Sequence, residues 1–144
     1  MKIILLVVVA AIALIVGGFF YLGQKSKAGD ARGVVGGALA PCPDKPNCVR
    51  SESGTGDHHA IAPLPLAAWD RLPAAVSSLG GEIVAETDDY IAATFTSSVF
   101  GFVDDVEFRK GAEVAHVRSA SRVGRSDLGA NRKRIEALRA ALAG

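Results

Sequence analysis

Three carboxylates fall within four residues, Asp104, Asp105 and Glu107 of GFVDDVEFR, just ahead of a chain end dense in cations. Residues of these types can do three kinds of chemistry. Paired carboxylates can hold a divalent ion or share acid and base roles. Ser119 or Ser121 with His116 could form an activated nucleophile, as could Cys48 with His58 or His59. The arginines could fork onto a carboxylate or phosphate. Sequence motifs narrow the choice. The GxSxG elbow, the HExxH zinc motif and the phosphate-binding glycine loop are all missing from the chain.

Strand periodicity tests the rest. In GFVDDVEFR, Phe102, Asp104, Val106 and Phe108 share one face, and Val103, Asp105, Glu107 and Arg109 the other. A metal site using both Asp104 and Asp105 would be strained. In EVAHVRSASRV, Ala115, Val117, Ser119, Ser121 and Val123 share a face, with His116, Arg118 and Arg122 opposite, so His116 is on the wrong side to activate either serine. RKGAE between the two strands predicts an antiparallel hairpin in which Asp105 and Glu107 look across at Arg118 or its neighbours, a salt-bridged outer face. Asp104 is different, because its neighbours are apolar. The final helix, expected from Ser126 or Asp127 to the chain end, sets Leu128, Asn131, Ile135, Leu138 and Leu142 on one buried stripe. Asp104, Ser119, Ser121 and Asn131 are therefore expected to be buried, and Arg122 and Arg132 are candidates to hold Asp104 ionised. Such a cluster is either a satisfied structural network or a cleft for something polar or anionic.

The elements before this hairpin follow from pattern. HHAIAPL reads as an edge strand ending at Pro63. Leu66, Trp69, Leu72, Val76 and Leu79 mark an amphipathic helix closed by Gly80 and Gly81, with Pro73 either kinking it or sitting in its first turn. EIVAETDDYIAATFTSS is strand, broken at residues 87–89. Strands with two helices make an α+β domain, a two-layer arrangement of antiparallel sheet and helices expected over residues 41–144.

Ile3 to Leu22 is uncharged and twenty residues long, enough to cross a hydrocarbon core of about 30 Å. A signal peptide competes, but its apolar core would be shorter and followed by a small-residue cleavage site. Residues 1–23 are read as a transmembrane anchor and 24–40, rich in Gly and Ala, as a flexible linker. Cations flank both ends of the span, so the positive-inside rule is silent. The usual arrangement for such an anchor exports the domain to the outer side. Cys42 and Cys48, in the proline-stiffened PCPDKPNC, can form a small disulfide in an oxidising compartment or remain thiols in a reducing one. A zinc site with His58 and His59 is disfavoured by the spacing. No metal centre and no cofactor are expected.

PCPDKPNCVRSES, FVDDVEF and VRSASRVGRSDLGANRKRI resemble the domain of unknown function 1499 family, from about Gly33 to Leu142. Matching positions are Pro43, Pro46, Asn47, Cys48 and Ser51 in the first motif, and Phe102, Asp104, Asp105 and Glu107 in the second. In the third they are Arg118, Ser119, Ser121, Arg122, Gly124, Asp127, Gly129, Asn131 and Arg132. Arg50 replaces a usual Ser, and Arg125 stands where an aromatic residue is common. The resemblance implies a bacterial or photosynthetic-eukaryote domain, often behind a membrane or export segment, and implies no activity.

Charge argues against nucleic acid as a partner. Glu52 to Glu107 holds ten acids and one base, Arg109 to Arg139 nine bases and three acids, and no aromatics interleave with the basic residues. The expected protein is a membrane-anchored, envelope-facing module that binds an anionic lipid or metabolite through Asp104, Ser119, Ser121, Arg122, Asn131 and Arg132. Its rival is a scaffold subunit held by a membrane-protein partner, and a hydrolase is the weakest reading.

Overall fold

In the computed structural model, which describes residues 1–144, the apolar run is helical and continues past its last apolar residue: α1 spans Lys2–Ser26. It is long and apolar enough to cross a membrane. Of its three glycines, Gly17 and Gly18 lie on an exposed surface with no neighbour within 4 Å, and Gly23 is buried.

The next segment is ordered rather than a free linker. Val34–Val35 (β1) and Ala38–Leu39 (β2) pair as a hairpin. Gly36 and Gly37 both have positive φ, 61° and 82°, as the tightest two-residue hairpin turn requires. Leu39 and Ala40 are buried. Residues 27–40 thus form a strap over one face of the sheet.

That sheet comprises Cys48–Arg50 (β3), Leu64–Pro65 (β4), Glu82–Glu86 (β5), Tyr90–Thr96 (β6), Val103–Lys110 (β7) and Val114–Ser121 (β8). It is antiparallel in the order β3-β8-β7-β6-β5, with β4 beside β3 along the same edge of β8. The break expected at residues 87–89 is the β5–β6 turn, where the Thr87 side chain bonds Asp89 and the Tyr90 N–H. The β7–β8 hairpin pairs Asp104 with Ser121 and Glu107 with Arg118.

A 3-10 turn over Leu66–Arg71 leads into Leu72–Ser78 (α2), and Pro73 sits in the first turn of α2, where its missing N–H costs nothing. Ala130–Ala143 (α3) packs beside it. The two helices cover one sheet face. Trp69, Leu72, Val76, Ile135, Leu138 and Leu142 meet Ile91, Val106, Phe108 and Val117 in one core. The architecture is α+β, as expected.

Three local readings differ. The edge of the sheet is Cys48–Arg50, and HHAIAPL contributes only a bridge at Ala60 and the short β4. Pro63 and Pro65 have no N–H to extend that pairing. The last helix begins at Ala130, later than Ser126 or Asp127. Asp127 accepts the N–H groups of Gly129 and Asn131, and this holds a turn in which Leu128 takes φ 53° and Gly129 φ 80°. Leu128 consequently leaves the buried stripe and is 88 % exposed.

Candidate functional site

Alternation along β7 sends its carboxylates to both faces, and both faces are covered. Asp104, Asp105 and Glu107 are all buried. On the helix side, Asp104 pairs with Arg134 at 2.8 Å. Arg134 also donates to Asn131 Oδ1 (2.7 Å) and Ser119 Oγ (3.2 Å), and its guanidinium lies 4.8 Å from the centre of the Phe95 ring. Ser119 donates to Asn131 Oδ1, and Asn131 Nδ2 donates to the Asn47 carbonyl, Ser121 Oγ and Asp127.

The predicted cluster of Asp104, Ser119, Ser121 and Asn131 therefore assembles, but as a saturated network joining sheet, α3 and the β3 loop. Its cation is Arg134, neither Arg122 nor Arg132. Arg134 follows Asn131 by three residues, so one helix face presents both. That spacing was the signal available in the sequence. Arg122 projects to the opposite sheet face. Arg132 is exposed and reaches only the His58 carbonyl, at 3.3 Å.

The other face is polar under the strap. Glu107, fully buried, accepts from Arg118 Nη1 (2.8 Å), the Tyr90 hydroxyl (2.8 Å) and the Gly33 N–H (2.6 Å). Arg122 forks onto both oxygens of Asp105, at 2.9 and 2.7 Å, and donates to the Ser26 carbonyl. Arg50 donates to the Leu39 carbonyl, and Glu52 accepts the Leu39 N–H, so β2 is held by side chains from β3 and the loop after it. Arg109 forks onto Glu52, with His116 at 3.3 Å from the same carboxylate. The ion pairs expected across the hairpin are present as Glu107–Arg118 and Asp105–Arg122. Their face is not solvated, because the strap lies over it.

Charge states follow. Burial pushes the Glu52 carboxyl up, but the Arg109 fork, the Leu39 N–H, His116 and the Arg109 charge together outweigh it and hold it below 4.5. Burial and the neighbouring Glu107 charge raise the Tyr90 hydroxyl well above its ordinary value, so it stays a donor. Bonds to Glu52 and Asp105 raise Arg109 and Arg122, respectively. A depressed carboxyl stabilises the fold above its unfolded pKa, and that contribution is lost as pH falls through the folded value. Melting temperature should therefore decline as pH drops below about 4.5, and Glu52→Gln should flatten that part of the profile. A pH series of thermal melts on both proteins checks this.

Between strap and sheet lies a polar cleft of about 220 Å³. Arg118 and Arg122 form its floor with Asp105, Asn47 and Ser121 line one wall, and Asp30, Arg32 and Lys45 stand at its exposed rim. Arg118 and Asn47 are each 2 % exposed, and each carries a buried atom without a partner: Arg118 Nε, a donor, and Asn47 Oδ1, an acceptor. The Asn47 amide is oriented by its Nδ2 bond to the Gly124 carbonyl. Buried polar atoms are ordinarily satisfied. Here two residues that line one cleft each hold such an orphan, of opposite kind, just beneath its surface. Of the six residues expected to bind a ligand, Ser121 and Arg122 line this cleft. Arg118 and Asn47 also line it; both stand at matching motif positions, and strand reading places Arg118 on a salt-bridged outer face rather than in a binding site.

Cys42 and Cys48 are joined in a disulfide, their Cα atoms 5.7 Å apart. The bond ties the start of the domain to Cys48, the first residue of β3 and the one that follows Asn47. His58 is exposed, and His59 Nδ1 lies 2.9 Å from the Cys48 carbonyl.

Compared with known proteins, residues 38–142 match the family model described as Protein of unknown function (DUF1499). No curated protein and no solved structure matches the chain.

Proposed function

This chain belongs to the protein family of unknown function DUF1499, and we propose that it is a membrane-anchored module that binds a small anionic group in the cleft beneath the strap. The observation that carries this reading is the pair of orphaned buried atoms, Arg118 Nε and Asn47 Oδ1, on one polar cleft. A phosphate or carboxylate bearing a hydroxyl has the groups to complement both, accepting from the guanidinium and donating to the amide oxygen, once a small shift of the lining opens these two covered atoms. Four cations and two carboxylates line the cleft, Arg32, Lys45, Arg118 and Arg122 against Asp30 and Asp105, so the lining itself favours an anion.

Anchoring is supported by α1, and an uncleaved α1 by the way its end is built into the domain. Ser26 is 1 % exposed, its Oγ accepts the Val103 N–H at 2.9 Å, and its carbonyl accepts from Arg122. Removing α1 would strip these partners from the cleft floor. The Cys42–Cys48 disulfide favours a domain on the oxidising, outer side.

Native mass spectrometry of the full-length protein, extracted gently from its own membranes, tests the binding reading. The expected result is a discrete added mass, and its size separates a phospholipid from a soluble phosphate or carboxylate. Arg118→Lys keeps a cation for Glu107 but removes Nε. It should weaken binding of that ligand, or of inorganic phosphate followed by thermal shift, about tenfold or more. A bare protein whose melting temperature ignores phosphate and citrate would mean that water alone satisfies the two atoms, and would sink this reading.

A further inference from the structure

The β6–β7 connection, Ser97 to Phe102, has the sequence SSVFGF, and its aromatic residues do not enter the domain core. They pack on α1. The Phe100 ring lies 5.2 Å from both Phe19 and Phe20, and Phe102 lies 6.3 Å from Phe19. Gly23 permits the approach: a Cβ there would sit 1.8 Å from the Phe100 carbonyl oxygen. Ser26 then fixes the loop exit through the Val103 N–H. Val99, at the tip, is 67 % exposed.

Depth follows from the helix rise. If Ile3–Leu22 spans the hydrocarbon layer, Phe19 lies about 4.5 Å inside its boundary at Leu22. A ring packed against Phe19 and Phe20 shares that depth. A groove of about 460 Å³ adjoins this contact, lined by Phe19, Leu22 and Phe102 and, among charged residues, by Asp104, Arg125 and Asp127. Phe19 and Leu22 of the groove belong to α1, and bilayer lipid is the occupant that this position favours.

We infer that the loop at residues 97–102 is a second membrane contact, entering the bilayer beside α1 and holding the domain against the membrane surface. The inference rests on the reading of α1 as a membrane span. Both cysteines are in the disulfide, so a single introduced cysteine can carry an environment-sensitive fluorophore. Full-length protein would be reconstituted in phosphatidylcholine vesicles containing lipids that bear a nitroxide quencher near the carbonyl end of the acyl chain. Three labelled variants are compared: Val99→Cys at the loop tip, Val9→Cys within α1, and Glu113→Cys in the β7–β8 turn at the far end of β7.

The expected result is blue-shifted, quenched emission at positions 9 and 99 and water-like, unquenched emission at 113. Adding Gly23→Ala to Val99→Cys should push the loop off α1 and reduce the quenching. Quenching at 9 with none at 99 would overturn the loop contact while leaving the anchor intact. No quenching at 9 would overturn both. Equal quenching at 99 and 113 would mean that the whole domain lies along the surface, which overturns a contact made by this loop.

Discussion

Glu107→Ala should destabilise the protein more than any other single carboxylate removal, by about 3–5 kcal/mol. Glu107 is fully buried and is the shared acceptor for Arg118, the Tyr90 hydroxyl and the Gly33 N–H. Its loss leaves Arg118, with only 3 % of its side chain exposed, charged and without its partner. It also frees the strap at Gly33. Removing one member of a buried pair costs more than the pair itself contributes, because the remaining charge stays desolvated. The double variant Glu107→Leu with Arg118→Met should recover part of the loss, since no charge is then stranded, although Tyr90 and Gly33 still lack an acceptor. Chemical denaturation of full-length protein in detergent measures both. A single variant within about 1 kcal/mol of the wild type, a surface-pair value, would mean that water reaches this face.

Asn131→Ala is the second large effect, a loss of about 2–4 kcal/mol. The side chain is fully buried, and its two ends do different work. Oδ1 accepts from Ser119 and Arg134, while Nδ2 donates to the Asn47 carbonyl, Ser121 and Asp127. Truncation therefore removes a partner from buried groups on β8 and in the β3 loop together, although the Asn47 carbonyl keeps the Ser121 N–H and Ser119 keeps Arg134. Asn131→Asp preserves the shape and separates packing from hydrogen bonding. It replaces the donor with an acceptor facing the Asn47 carbonyl and the Asp127 carboxylate, and should be at least as destabilising as alanine. If the aspartate variant melts like the wild type, Asn131 acts by volume alone. Since Asn47 carries the orphaned Oδ1 of the cleft, the alanine variant should also loosen that wall.

The two substitutions mark the two sides of the sheet, and the sides differ in how far they could be read from sequence. Two-residue alternation determined by itself that Asp104 opposes Asp105 and Glu107, because a β-strand allows no other placement. The three- and four-residue spacing of Asn131, Ile135, Leu138 and Leu142 likewise determined the buried stripe of α3. The apolar run determined α1. These are local periodicities, and each is carried by the chain's own geometry.

Partner choice was not local. Arg122, Arg132 and Arg134 are all near enough in sequence to serve Asp104; strand alternation sends Arg122 to the other sheet face, and the docking of α3 brings Arg134 rather than Arg132 onto Asp104. The fate of the outer face was decided even further away. Alternation calls Glu107 and Arg118 outward, and outward ordinarily means solvated. They are buried because residues 27–40 fold back over them. That strap is held mostly by backbone groups bonding to side chains, at Gly33 and Leu39, so its sequence carries little apolar periodicity to announce it. Its one local signal was VVGGAL, a Gly-Gly turn between β-branched and aliphatic residues. A cleft made between a strap and a sheet exists only when both are in place, and so Arg118 Nε and Asn47 Oδ1 meet it through tertiary structure alone.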